Sequence, residues 1–150
     1  MSGSSKSADF SSIRRLHLAI LLIFIVACVL SVMLIKWHVI MPDRTEDFGR
    51  NLQVITLLLT MVIMWLGFRP FSRQIPGIRK SNLSSSEKWM TYRRLAFRFW
   101  AAILLSGIFA LISFLLNGNM VFFIMAAMEL AVLILFTPRK DNMKLLLGVE

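Results

Sequence analysis

The sequence predicts an all-α integral membrane protein, a four-transmembrane-helix bundle, and three observations support this fold class. Of the 150 residues, 57% are hydrophobic and 17% are charged, whereas soluble domains have about 45–50% apolar residues. The apolar residues are gathered into four blocks, each near the length that a bilayer requires. The basic residues flank these blocks and form no polar domain of their own. This composition excludes a soluble enzyme, and no polar stretch is long enough to build a second folded core.

The four apolar blocks contain 17 or 18 residues each and are expected to be helices. A helix of that length covers about 27 Å, close to the lower limit for crossing hydrocarbon. In lipid, each backbone polar group must be satisfied within its own segment, and the blocks lack the alternating polarity of barrel strands. The predicted transmembrane domain covers residues 13–137, with spans at about 16–37, 51–69, 96–116 and 119–137.

Proline and serine residues mark the expected helix ends. Pro42, Pro70 and Pro138 each follow an apolar block, where a residue without a backbone donor ends a helix at little cost. Ser84 followed by Glu87 matches a capping box, which predicts a surface helix that begins at about residue 85 and continues into the third span.

The remaining segments are expected to lie outside the membrane. Residues 1–12 form a polar, serine-rich tail that is expected to be flexible, residues 70–94 a cytoplasmic loop, and residues 138–150 a cytoplasmic C-terminal tail. Only residues 117–119 separate the third and fourth spans, so these two must form an antiparallel hairpin. The first two spans can be aligned with the last two, and a pair of tandem helical hairpins is one interpretation of the chain.

The distribution of basic residues predicts the orientation, because basic flanks are retained on the cytoplasmic side. Fourteen lysines and arginines flank the spans on the side of the two chain ends, and three lie on the other side. The fourteen are Lys6, Arg14, Arg15, Arg69, Arg73, Arg79, Lys80, Lys88, Arg93, Arg94, Arg98, Arg139, Lys140 and Lys144. We therefore expect both termini in the cytoplasm and the protein in a bacterial inner (plasma) membrane. Since topology alone explains this asymmetry, the net charge of +9 gives no reason to expect nucleic acid as a partner.

Glu129 is the one ionisable residue deep within a predicted span, nine residues from Met120 and eight from Thr137. A bare carboxylate at that depth costs about 2.5–3.5 kcal/mol on insertion scales, so Glu129 should face the bundle and be paired or protonated. Thr60, Ser106 and Cys28 lie at similar depths and offer two hydroxyls and a thiol. A neutral acid that donates a hydrogen bond is the expected resting form.

Small residues recur at helical spacing on the last two spans and predict where helices pack closely. They are Ala102, Ser106, Ala110 and Ser113 on the third span, and Ala127 and Ala131 on the fourth. The alternative is that alanine and serine are simply common in transmembrane helices.

A second set of residues, at the start of the third span, is predicted to lie at headgroup depth. Cations there are attracted by anionic lipid, and amphipathic rings favour the interface. The set consists of Trp89, Tyr92, Arg93, Arg94, Arg98 and Trp100. His17 and His38 are expected to be interfacial as well. The expected partners are therefore anionic lipid headgroups, together with a second copy of the chain or another membrane subunit.

The sequence contains no catalytic motif, and no cofactor, metal site or catalytic residue is expected. A single cysteine, Cys28, excludes an internal disulfide, and we expect it to be buried although residues 25–28 resemble a lipoprotein cleavage box. The predicted function is that of a non-enzymatic subunit or accessory (scaffold) component of a membrane complex. The alternative is a small proton- or cation-coupled transporter that uses Glu129 as its coupling acid.

Overall fold

The computed structural model describes residues 3–42 and 46–147, and within this part it is 88% helical with no strand. The helices are α1 (Gly3–Lys36), α2 (Glu46–Lys80), α3 (Ser85–Asn117), α4 (Met120–Leu135) and α5 (Lys140–Leu147). Three of them are long and apolar enough to cross a membrane, and a fourth crossing results if α4 and α5 count as one bent span. The all-helical class is thus confirmed, and the length and apolar character of these helices suggest a membrane protein. The outermost parts of the predicted tails, residues 1–2 and 148–150, lie outside the described residues, as do residues 43–45.

α3 is the central helix of the molecule. It packs against α2, α4 and α1, while α1 also contacts α4 and α5 contacts α2. Half of the most apolar window of α3 is buried, against 17% for the corresponding windows of α1 and α2. The outer faces of α1 and α2 are therefore apolar surfaces suited to contact with lipid.

This arrangement does not favour a tandem duplication. α3 and α4 form a packed hairpin, but α1 and α2 are not among the helix pairs that pack closely. The reason is that α1 and α2 each pack on a different face of α3.

α1 begins at Gly3, so residues 3–12, part of the polar tail of the sequence analysis, are helical. Adding residues to an existing helix costs far less than nucleating a new one, and the long apolar part of α1 supplies the nucleus. Ile13, just beyond this segment, is already in the core.

α2 continues through Pro70 and Pro76 to Lys80, so the predicted loop 70–94 is instead a helical hairpin with a short connection at residues 81–84. A proline removes one backbone hydrogen bond and usually kinks or ends a helix. Here burial of Ile75 and Ile78 in the core compensates for that loss.

α3 begins where the capping box predicts. The Ser84 hydroxyl accepts from the amide of Glu87, and the Ser84 amide donates to Oε2 of Glu87 at 2.9 Å. The other end of α3 closes on Gly118, whose φ of 71° lies in the left-handed region that favours glycine. Its amide donates to the carbonyl oxygen of Phe114 at 2.7 Å. The hairpin between α3 and α4 is therefore held by local sequence signals.

The hairpin of α2 and α3 is longer than a bilayer requires. With 35 and 33 residues, the two helices measure about 50 Å each, against a hydrocarbon core of about 30 Å. The excess lies at the end where α2 finishes and α3 starts, and it has its own buried residues, shared with α5. These residues are Ile75, Ile78, Trp89, Tyr92, Leu95, Met143 and Leu147.

A buried lysine holds α5 against this hairpin. Nζ of Lys88 donates to the carbonyl oxygen of Arg79 at 3.4 Å and to that of Leu147 at 3.5 Å. Both carbonyls lie at C-terminal helix ends, where the macrodipole favours a cation.

Candidate functional site

The candidate site surrounds Glu129 on the buried face of α4. Phe122, Ala126, Glu129 and Leu133 recur at spacings of four, three and four residues and form this face. Glu129 is 9% exposed and contacts Ser106 of α3, which is fully buried. The acid therefore lies inside the molecule, as the sequence predicted.

Ser106 has two hydrogen-bond contacts, one within α3 and one to Glu129. Oγ of Ser106 lies 3.1 Å from the carbonyl oxygen of Ile103 and is also in hydrogen-bond contact with Oε2 of Glu129. A hydroxyl has one hydrogen to donate, so it cannot supply both oxygens. If the carboxyl is protonated, it donates to Ser106, which in turn donates to Ile103. The arrangement thus fits a neutral acid that joins α3 to α4.

Of the three residues predicted at the depth of Glu129, Ser106 alone is hydrogen-bonded to it. Thr60 donates to the carbonyl oxygen of Leu57 at 3.0 Å, within its own helix. Cys28 is half-buried. It lines an open groove together with other residues of α1 and with Phe123 of α4.

His17 is a buried residue of this region that the sequence analysis placed at the interface. It is fully buried, with Nε2 3.0 Å from the carbonyl oxygen of Leu133 and its ring 4.8 Å from that of Trp100 in an edge-on arrangement. His17 thus joins α1 to both α3 and α4. A signal for this was present, because His17 is in register with the buried residues Ile13, Ile20 and Phe24. His38 is exposed, as expected for an interfacial residue.

α1 also approaches α3 closely at Phe24, seven residues after His17. A Cβ added to Gly107 would lie 2.0 Å from Cζ of Phe24, a distance that no real contact adopts. Phe24 is fully buried as a result.

Ala102 and Ser113 lie on the contact between α2 and α3. Ser113 shares a hydrogen bond of 2.7 Å with Thr56, and a Cβ added to Gly67 would lie 2.4 Å from Cβ of Ala102. Ala110 is fully buried. The α2 side of this contact was not predicted, although a signal exists on one helical face of α2, where Gly49, Thr56, Thr60 and Gly67 recur.

The packing prediction for α4 needs correction. Ala127 and Ala131 are exposed, and Ala126 is the small residue that is buried. The spacing of Ala127 and Ala131 is helical, but Glu129 and Leu133 determine which face of α4 turns inward. The two alanines therefore lie on the outer face.

The predicted interfacial set divides in two. Arg93, Arg94 and Arg98 are exposed, but Trp89, Tyr92 and Trp100 are buried in the core. The three rings lie on the face of α3 that packs against its neighbours, and this burial corrects their assignment to the lipid headgroups. Arg93 and Arg94 line an open groove of about 430 Å³ together with Leu16, Met90 and Phe97.

Within the described part of the chain, no group of three or more histidine, cysteine or acidic side chains could hold a metal ion. No family model, no curated protein and no solved structure matches this chain, so its function has to be argued from its own residues.

Proposed function

We propose that this protein is a non-enzymatic subunit or accessory component of a membrane complex and that its partner docks on the outer face of α4. The observation that carries the proposal is the exposure of Ala127 and Ala131 on that face. Small residues spaced four apart let a second helix approach closely, and in lipid such packing is a main source of helix association.

The short length of α4 also favours docking of a partner on its outer face. α4 has 16 residues, which is about 24 Å, shorter than the hydrocarbon core of about 30 Å. A span that is too short is accommodated by a thinner bilayer or by association with other helices. A partner helix on the outer face of α4 removes part of the mismatch. The partner is a second copy of this chain or another membrane subunit.

Glu129 favours this function over transport. A coupling acid has to reach water or a substrate path, whereas the carboxyl of Glu129 is closed by Ser106. Among the described residues, the grooves that contain Leu16, Ile75, Ile35 or Cys28 do not include Glu129 in their lining. Its role in the proposal is to fix the rotation of α4, so that the alanines face outward.

The proposed topology has four crossings with both termini in the cytoplasm of a bacterium, and the membrane is the inner one. It is supported by the contacts between helix ends, because His17 meets Leu133 and Lys88 meets both Arg79 and Leu147. These contacts bring the basic flanks of the helices to one end of the molecule, here called the basic end. Basic flanks are retained in the cytoplasm.

The proposal is tested by changing Ala127 and Ala131 together to leucine. We expect the wild-type chain in mild detergent to have a mass above the 17.2 kDa of one chain, measured by native mass spectrometry. The double variant should release the partner, because the larger side chains keep the helices apart. Ala19→Leu is the matched control, since Ala19 is an exposed alanine on α1. A monomeric wild type, or a complex that the double variant retains, would contradict the proposal.

A further inference from the structure

We propose that the groove between Leu16 of α1 and the first turns of α3 binds one anionic glycerophospholipid. Arg93 and Arg94 would hold the phosphate, and an acyl chain would lie along Leu16, Met90 and Phe97. This site is separate from the outer face of α4 and goes beyond the docking of a protein partner.

The position of the groove matches the headgroup region. Leu16 lies two residues before the apolar block that starts at Leu18, and Phe97 lies two residues before the block that starts at Phe99. The groove therefore lies where both membrane spans begin, at the basic end of the molecule. Basic pockets between helices at this depth suit the headgroups of anionic lipids.

The two arginines are available for an anion. Both are exposed, and neither has an ion-pair partner among the described residues. Glu87 lies two turns before Arg94, but its carboxylate already accepts from the amide and the hydroxyl of Ser84. Arginine presents several donors in a planar fork that matches the oxygens of a phosphate.

The walls of the groove favour a lipid over a free phosphate ion. Met90 and Phe97 are 57% and 47% exposed and flank the arginines. An inorganic phosphate would use the guanidinium groups alone and leave this apolar surface uncovered. A phospholipid covers both, because its phosphate and the first part of its acyl chain are only a few bonds apart.

The experiment measures lipid retention by the full chain. The protein is exchanged from detergent into nanodiscs of phosphatidylglycerol and phosphatidylcholine, and the lipid that remains after mild release is counted by native mass spectrometry. We expect one phosphatidylglycerol per chain. Arg93→Gln with Arg94→Gln should weaken retention about tenfold or more, the scale expected for losing hydrogen bonds to a charged group.

The control is Arg73→Gln with Arg139→Gln, which removes two exposed charges at the same end but outside the groove. Equal loss in both pairs would mean general attraction to the membrane and would overturn the site. Phe97→Ala should also weaken retention. If it has no effect while the arginine pair does, the groove binds phosphate without a lipid tail and the proposal is wrong. Thermal unfolding of each variant verifies the fold, and Ala127→Leu with Ala131→Leu should leave lipid retention unchanged.

Discussion

At the scale of single residues, the buried pair of Glu129 and Ser106 joins α4 to α3. Oγ of Ser106 contacts both Oε2 of Glu129 and the carbonyl oxygen of Ile103, and a neutral carboxyl that donated to Ser106 would satisfy both contacts with one hydroxyl hydrogen. A hydrogen bond of this kind needs no charge on either partner, which suits the absence of a cation among its contacts within the described residues.

Glu129→Gln should therefore leave the free energy of unfolding close to that of the wild type, because an amide group can donate to Ser106 as a neutral acid does. Ser106→Ala should lower it by about 0.6–2 kcal/mol, the range for hydrogen bonds between helices in membranes. Unfolding in mixed micelles of increasing denaturing detergent measures both values. A large loss of unfolding free energy for Glu129→Gln would indicate an ionised carboxylate. A pH-dependent proton flux in vesicles that Glu129→Gln abolishes would instead favour the transporter.

The sequence predicted the burial of a charged side chain better than the burial of aromatic side chains. Glu129 was predicted inside the bundle because hydrocarbon penalises a charge on any outward face. His17, Trp89 and Trp100 were wrongly predicted at the interface, since rings of this kind suit the membrane interface and the core equally well. Whether such a ring lies in the core or at the interface depends on the helices that pack around it.

At the scale of the elements, the close approach of α1 to α3 depends on one missing side chain. Gly107 leaves the space that the ring of Phe24 occupies, so the two helices contact each other through a ring and a bare backbone.

Gly107→Ala should destabilise the protein by about 1–3 kcal/mol, because an added methyl group in a filled space forces the neighbouring side chain to move. The matched control is Gly77→Ala, since a Cβ at Gly77 meets nothing within 4 Å. That change should be neutral or stabilising by up to about 1 kcal/mol, as expected for alanine in a helix. Both are measured as free energies of unfolding, and equal effects would contradict the contact with Phe24.

The elements themselves were predicted with mixed success. The start of α3 and the turn at Gly118 follow from local signals, and a capping box or a glycine acts over only a few residues. The continuation of α2 beyond Pro70 depends on Ile75 and Ile78, which lie in the core beside residues far away in sequence. Packing of that kind is not visible in a local pattern.

At the scale of the whole molecule, the membrane character was predictable and the packing partners were not. Lipid tails are as apolar as a protein core, so an apolar residue gives no sign of which it faces. For that reason the blocks predicted the spans, but the outward position of Ala127 and the central position of α3 required the structure.

The proposed topology gives a labelling prediction. In a Cys28→Ser background, Met41→Cys and Leu83→Cys introduce a single thiol at opposite ends of α2, at positions that are 82% and 43% exposed. A thiol reagent that cannot cross membranes should label Met41→Cys in intact cells and Leu83→Cys only after the cells are opened, because the basic end is retained inside. The reverse pattern, or labelling of both in intact cells, would rule out cytoplasmic termini.

The ammonium group of Lys88 makes the α2 and α3 hairpin and α5 mutually dependent. It donates to a carbonyl in the last turn of α2 and to a carbonyl at the end of α5, 59 positions beyond Lys88 in the chain. If α5 swings away, the buried cation loses an acceptor, and Met143 and Leu147 lose their cover at the same moment. The packing at this end of the α2 and α3 hairpin thus depends on α5, which follows it in the chain and is synthesised later.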